Sequence, residues 1–154
     1  MFNDYVIMTK IMKEIRIDSK ILSSLEDYFK DFSKERGCAL GIKDNVISSF
    51  FPIKNLSNEK RSFVPSFDDL NKAAEEFNSS GHEFIGIMHS HLSYSSGNSS
   101  LKPSDSDEEF YRNFQMKNPS FKFLLFPIIG LQNCKKVIKW YTFSNNKLEE
   151  IDVK

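Results

Sequence analysis

The chain is poor in the features that would announce a specialised environment. Among its 154 residues are two cysteines, Cys38 and Cys134, and one tryptophan, Trp140. Two thiols so far apart make no disulfide framework and point to a reducing cytoplasm. Net charge is also missing, since 21 basic residues balance 21 acidic ones. That excludes a nucleic-acid-binding surface spread over the protein and leaves room only for a local patch. No apolar run approaches the ~18 residues needed to span a bilayer. Met1 to Lys10 lacks the basic start and apolar stretch of a secretory signal. There is no internal repeat and no linker, so residues 1–154 are expected to form a single domain.

What is present reads as strands interspersed with helices. Glu14 to Ile17 predicts a short strand, followed by a helix capped by Asp18 or Ser19. Ile21, Leu22, Leu25, Phe29 and Phe32 recur at helical spacing. A second strand runs through Glu35 to Gly41, a hairpin turn falls at Asp44-Asn45, and a third strand covers Val46 to Ile53. Asn58 to Ser62 is a polar loop. Ser66 with Asp69 forms a capping pair for a helix carrying Leu70, Ala73, Ala74 and Phe77 on one face. Phe84 to His89 is a buried strand, Leu92 to Lys102 a Ser-rich loop, and Ser104 to Met116 a helix with Phe110 and Phe114 on one side. Phe121 to Ile129 and Val137 to Phe143 predict two more strands. The expected class is α/β (α+β), a central mixed sheet flanked by two or three helices. The fifteen phenylalanines are expected to pack its core. Residues 1–12 are an extra strand or an irregular N-terminus.

The chemistry concentrates between His89 and Asp107. Residues i and i+2 of a strand share a face, so His89 and His91 can reach one ion together while Ser90 points away. Asp107 stands three residues after Ser104. If Ser104 caps the helix, the positive helix end holds that carboxylate ionised, as a metal ligand must be. Two imidazoles and a carboxylate are a zinc donor set that leaves a fourth position for water, whose pKa then falls to about 7. Such a site needs an acid/base, and a glutamate can serve. Composition alone does not choose among Glu35, Glu26, Glu83 and Glu108. Asp105 is a rival to Asp107 with the wrong spacing from Ser104. His82 reads as an exposed turn residue and Cys38 as a small packing residue.

The order Glu…His-x-His…Ser-x-x-Asp resembles the JAMM motif of the JAB/MPN+ metalloprotease family. Glu35-Arg36-Gly37-Cys38-Ala39-Leu40-Gly41 is similar to the family's Glu-x-x-Gly-x-Leu-x-Gly region, one residue shorter before its last glycine. Gly86-Ile87-Met88-His89-Ser90-His91 resembles its Gly-x-x-His-Ser-His strand, and Ser104-x-x-Asp107 its closing element. The likeness extends over Ile15 to Phe143, in the same strand-helix order. Two departures stand out. Leu92 replaces the usual proline, and the twelve residues Leu92 to Pro103 exceed the family's spacing. A longer loop costs little entropy, and this one is placed to gate the metal.

The resemblance implies an MPN/JAB-like (cytidine-deaminase-like) domain binding Zn2+ through His89, His91 and Asp107. Glu35 would be the acid/base, and Ser104 would help hold the oxyanion. It implies cleavage after the C-terminal tail of a ubiquitin or ubiquitin-like protein, as standalone bacterial members do in deconjugation or anti-phage systems. E1- or E2-like enzymes of the same operon would be partners. Processing of a sulfur-carrier precursor is the alternative on the same chemistry. A non-catalytic MPN-like scaffold is a further alternative, disfavoured because such members typically lose the ligands this chain retains.

Overall fold

Locally encoded turns and caps set the element boundaries. The computed structural model describes residues 14–154 apart from 122 and 145, so the expectation for residues 1–12 lies outside the described residues. The elements are β1 (Arg16–Ile17), α1 (Ser19–Tyr28), β2 (Gly37–Lys43), β3 (Val46–Ile53), α2 (Phe67–Ser79), β4 (Glu83–Ser90), α3 (Asp105–Lys117), β5 (Ile128–Gln132), β6 (Lys135–Ser144) and β7 (Lys147–Ile151). Asp18 caps α1 through its carboxylate, which accepts from the Lys20 and Ile21 amides at 2.8 and 3.2 Å. Ser66 caps α2 by accepting from the Asp69 amide. Helix α1 stops at Tyr28, yet Phe29 and Phe32 beyond it remain buried.

The strands form one mixed sheet in the order β1-β3-β2-β4-β5-β6-β7. The β2–β3 hairpin turns on Asp44-Asn45, both at positive φ, with Lys43 opposite Val46. That is a two-residue primed turn, whose twist suits the flanking strands. Strand β4 lies centrally, antiparallel to β2 and parallel to β5. One face of the sheet packs Leu40, Met88 and Trp140 with Leu25 and Phe29 of the α1 region. The other packs Ala39, Ile87 and Phe126 with Leu70 and Phe77 of α2 and Phe114 of α3. Gly86 is required where β4 meets the segment before β5: an added Cβ would lie 2.1 Å from the Leu125 carbonyl oxygen.

Two features differ from the sequence expectation. The strand expected from Phe121 begins as a regular ladder only at Ile128. The stretch before it makes isolated bridges, with Leu125 paired to both Gly86 and Thr142. Strand β7 was not anticipated; its Lys147-Leu148-Glu149-Glu150-Ile151 sequence is too polar to stand out. No helix among the described residues is long and apolar enough to cross a membrane.

Candidate metal centre

His89 and His91 emerge from the C-terminal end of the central strand. The His89 amide donates to the Pro127 carbonyl and the His91 amide to that of Ile129. Ile87, two residues earlier, belongs to the core shared with α2 and α3, so the alternation turns His89 toward α3. Asp107 arrives from α3. Ser104 Oγ accepts from the Asp107 amide at 3.1 Å, and Asp107 Oδ2 accepts from the Ser104 amide at 2.9 Å. This reciprocal cap fixes where the carboxylate stands.

The three side chains meet in a tight triangle. The two imidazole Nε2 atoms are 3.1 Å apart, and Asp107 Oδ2 is 3.3 Å from His89 Nε2 and 3.1 Å from His91 Nε2. Donors about 2.0–2.1 Å from a tetrahedral ion lie about 3.3 Å from one another, so the residues fit a zinc-sized ion. Glu35, His89 and His91, only 6%, 2% and 9% exposed, also bring one ligand atom each to within 4.8 Å of one another and could hold a metal ion.

The surroundings orient these groups. His91 Nδ1 lies 2.8 Å from the Ser100 carbonyl oxygen. Donation to that carbonyl fixes the tautomer and leaves the Nε2 lone pair for an ion. His89 stacks on Phe63, the rings nearly parallel at 5.6 Å. Gly37 sits opposite His89 in the ladder, and a Cβ there would lie 2.0 Å from Phe63. Glu35 stands just ahead of β2. Its amide donates to the Lys60 carbonyl, and its carbonyl accepts from Asn55 Nδ2. Ser90, pointing away from the histidines, accepts from the next amide, Arg36, at 2.9 Å.

Charge states follow from these contacts. Burial raises the Glu35 pKa above its ordinary value; the two histidines oppose this and the Asp107 charge adds to it. Burial pushes Asp107 up, but hydrogen bonds from His89 and His91 overcome it and hold the carboxyl well below the usual carboxylate range. Burial works against a charged His91, yet the Asp107 hydrogen bond and charge outweigh it and raise the pKa. Burial pushes the Cys38 thiol far above its normal range, which removes it as a nucleophile. His82 bonds Ser48 and Ser80 at 2.9 Å and is half-buried. Of the candidate glutamates, Glu35 is the one grouped with His89 and His91 as a set that could hold a metal ion, and Asp107 rather than Asp105 is the aspartate that pairs with both histidines.

A cleft of about 200 Å³ opens on this cluster, lined by Glu35, His91 and Ser104 together with Arg61, Tyr94 and Lys102. Arg61 was not anticipated as a cleft residue, and the Ser-rich loop, expected over the metal, was not read residue by residue. They come together only through long-range packing, which leaves no local pattern. The loop expected as a gate is tied down. The Ser99 amide donates to the Leu131 carbonyl, and Ser99 Oγ accepts from the Leu131 amide. Asn98 Oδ1 accepts from the Asn133 amide, and the Gly97 carbonyl from the Cys134 amide. Tyr141 donates to the Leu101 carbonyl. Serine and asparagine oxygens here stand in for a missing ladder. A larger cavity of about 450 Å³ lies between α2 and α3, but its walls carry no histidine or carboxylate.

No family model matches the chain, and no curated protein matches it in sequence. Solved structures place it by fold, and the fold is MPN/JAB-like. AF2198, a JAB1/MPN domain protein from Archaeoglobus fulgidus, is similar with a TM-score of 0.57 and 18% identity, covering 92% of this chain and 96% of that one. Protein DSY2949 from Desulfitobacterium hafniense, known from a solution structure, is similar with a TM-score of 0.68 and 18% identity, covering 91% of each chain. At such identity the likeness establishes the fold.

Proposed function

We propose that the protein is a zinc-dependent JAMM-type isopeptidase or peptidase that cleaves after the C-terminal tail of a ubiquitin or ubiquitin-like protein. The observation that carries this is the 3.1–3.3 Å triangle of His89, His91 and Asp107 with buried Glu35 beside it, on an MPN/JAB-like fold. His89 Nε2, His91 Nε2 and Asp107 Oδ2 would hold the zinc. A zinc ion supplies Lewis acidity there, polarising a carbonyl and lowering the pKa of a bound water to about 7. Glu35, its pKa raised by burial, takes the proton of the attacking water on a carboxylate oxygen and delivers it to the departing amine. The Ser104 hydroxyl accepts from the Asp107 amide and retains its own proton to donate to the oxygen where negative charge collects.

The test pairs zinc content with turnover of a ubiquitin-like fusion. Glu35→Gln should lower turnover about 10²–10⁴-fold, the usual weight of a general acid–base, with one zinc per chain retained. His89→Ala should lose the zinc itself. Full activity in Glu35→Gln would overturn the mechanism. Zinc loss from that variant would make Glu35 a ligand rather than the base.

A further inference from the structure

We propose that Arg61 and Lys102 form a carboxylate-binding subsite, which recognises an anionic group carried by the substrate next to the bond that is cut. The proposal rests on the peptidase reading above and adds to it a substrate class. Both cations line the 200 Å³ cleft that also exposes Glu35, His91 and Ser104. Neither pairs with a described acidic residue. Among the described residues the ion pairs are those of Asp107 with the two histidines and Lys139 with Glu150. The two cations' repulsion of a dication at the site is offset in part by Asp107 and Glu35, and an anion carried by the substrate would offset it further. Glu35 lines the same cleft, so the cleft's charge is mixed; the two cations supply the positive part, which attracts an anionic group.

The two groups are positioned for this. The Arg61 guanidinium lies over the Tyr94 ring, 5.1 Å from its centroid. Tyr94 is itself fixed by a turn, its amide donating to the Asn98 carbonyl and its carbonyl accepting from the Gly97 amide. Held over the ring and without a described acidic partner, the planar fork has N–H groups to offer a carboxylate through two parallel hydrogen bonds. Lys102 precedes Pro103 and the Ser104 cap, so its backbone is anchored by the turn that positions Asp107. The loop that exceeds the family spacing therefore supplies part of the recognition surface.

Three acetylated peptides separate the outcomes: Gly-Gly-Ala with a free carboxylate, the same peptide amidated, and amidated Gly-Gly-Glu. Binding is measured by calorimetry on the zinc-loaded Glu35→Gln protein, whose turnover should be too slow to interfere. The free-carboxylate peptide should bind about five- to tenfold tighter than the amide, as expected for charge pairs open to solvent. That preference should shrink at high salt. Adding Arg61→Gln and Lys102→Gln, both at exposed positions, should collapse it to within about twofold. Equal binding of the first two peptides would overturn the subsite. So would a preference that survives in the double variant, since the zinc would then be holding the carboxylate. Recovery with amidated Gly-Gly-Glu assigns the anion to an acidic side chain; no recovery assigns it to a terminal carboxylate. Turnover by the unmodified protein judges the peptidase reading separately. Preferential binding without cleavage would sink that reading and leave the subsite standing.

Discussion

The residues around the cleft are held by two different means. His89 and His91 hang from a central strand whose amides are paired to the neighbouring segment, and Asp107 is locked by a reciprocal helix cap. Tyr94, Ser100 and Lys102 ride on a loop outside the named strands, held by a few bonds between Ser99, Asn98, Gly97 and Leu101 and the β5–β6 hairpin. The first set is over-determined, because moving one ligand means breaking several cooperative bonds. The second set can change residue by residue. That division suits the proposed hydrolase, in which reacting geometry would tolerate little displacement while substrate choice belongs on loops carried by a rigid scaffold. Two bonds join the sets, from His91 Nδ1 to the Ser100 carbonyl and from the Ser99 hydroxyl to the His91 carbonyl.

The sharpest way to break this contrast is to disturb the rigid set from behind. Gly37→Ala puts a methyl where the Phe63 ring lies, and Phe63 is the surface on which His89 stacks. Overpacking of this kind costs about 1–3 kcal/mol, or roughly 2–4 °C of melting temperature per kcal/mol at this size. Zinc affinity should fall several-fold with it. Unchanged melting and unchanged affinity would mean that Phe63 vacates freely and does not steady His89.

A smaller effect comes from pH. In the metal-free protein the Asp107 contact raises the His91 pKa above its ordinary value of about 6.5. A raised folded pKa contributes stability that is fully present below the unfolded value and lost as pH rises through the folded one. The metal-free protein should therefore gain stability from this group on going from pH 8 to pH 6. Zinc must displace the same proton, so its affinity should run the other way, falling by up to about tenfold per pH unit in that window. Asp107, held well below the carboxylate range, adds no slope there. A flat affinity between pH 8 and 6 would show that the His91–Asp107 coupling is absent.

The contrast also marks how far the sequence could be read. His-x-His on an apolar strand and Ser-x-x-Asp at a helix start are local patterns, and strand alternation and helix capping turned them into positions on β4 and α3. Strand β3 falls on its expected Val46 to Ile53 because Asp44-Asn45 sets its start. Glu35 was different, since four glutamates competed until the family resemblance singled one out. Strand β7 and the Asn133-Cys134 turn left no mark, the strand being polar and cysteine being uncommon at positive φ. The cleft residues of the Ser-rich loop were unreadable for a deeper reason. Serine and asparagine that mean a solvated loop in isolation become a docking strip once the β5–β6 hairpin lies beside them.

The gentlest perturbation asks whether the loop can be loosened while the metal centre stands. Ser99 Oγ accepts from the Leu131 amide at 2.9 Å and donates to the His91 carbonyl at 3.3 Å. Ser99→Ala removes both bonds, at a cost of about 0.5–1.5 kcal/mol. The link that matters to the ion, from the Ser100 carbonyl to His91 Nδ1, is a backbone bond and stays. Zinc affinity should therefore fall less than tenfold, short of the 10–100-fold typical when an outer partner of a metal-binding histidine is deleted. The preference for a carboxylate should weaken by a larger factor, because Tyr94 and Lys102 are carried by the loosened segment. If Ser99→Ala instead strips zinc as thoroughly as His89→Ala, the loop and the metal centre form one unit, and the division between fixed chemistry and adjustable recognition fails.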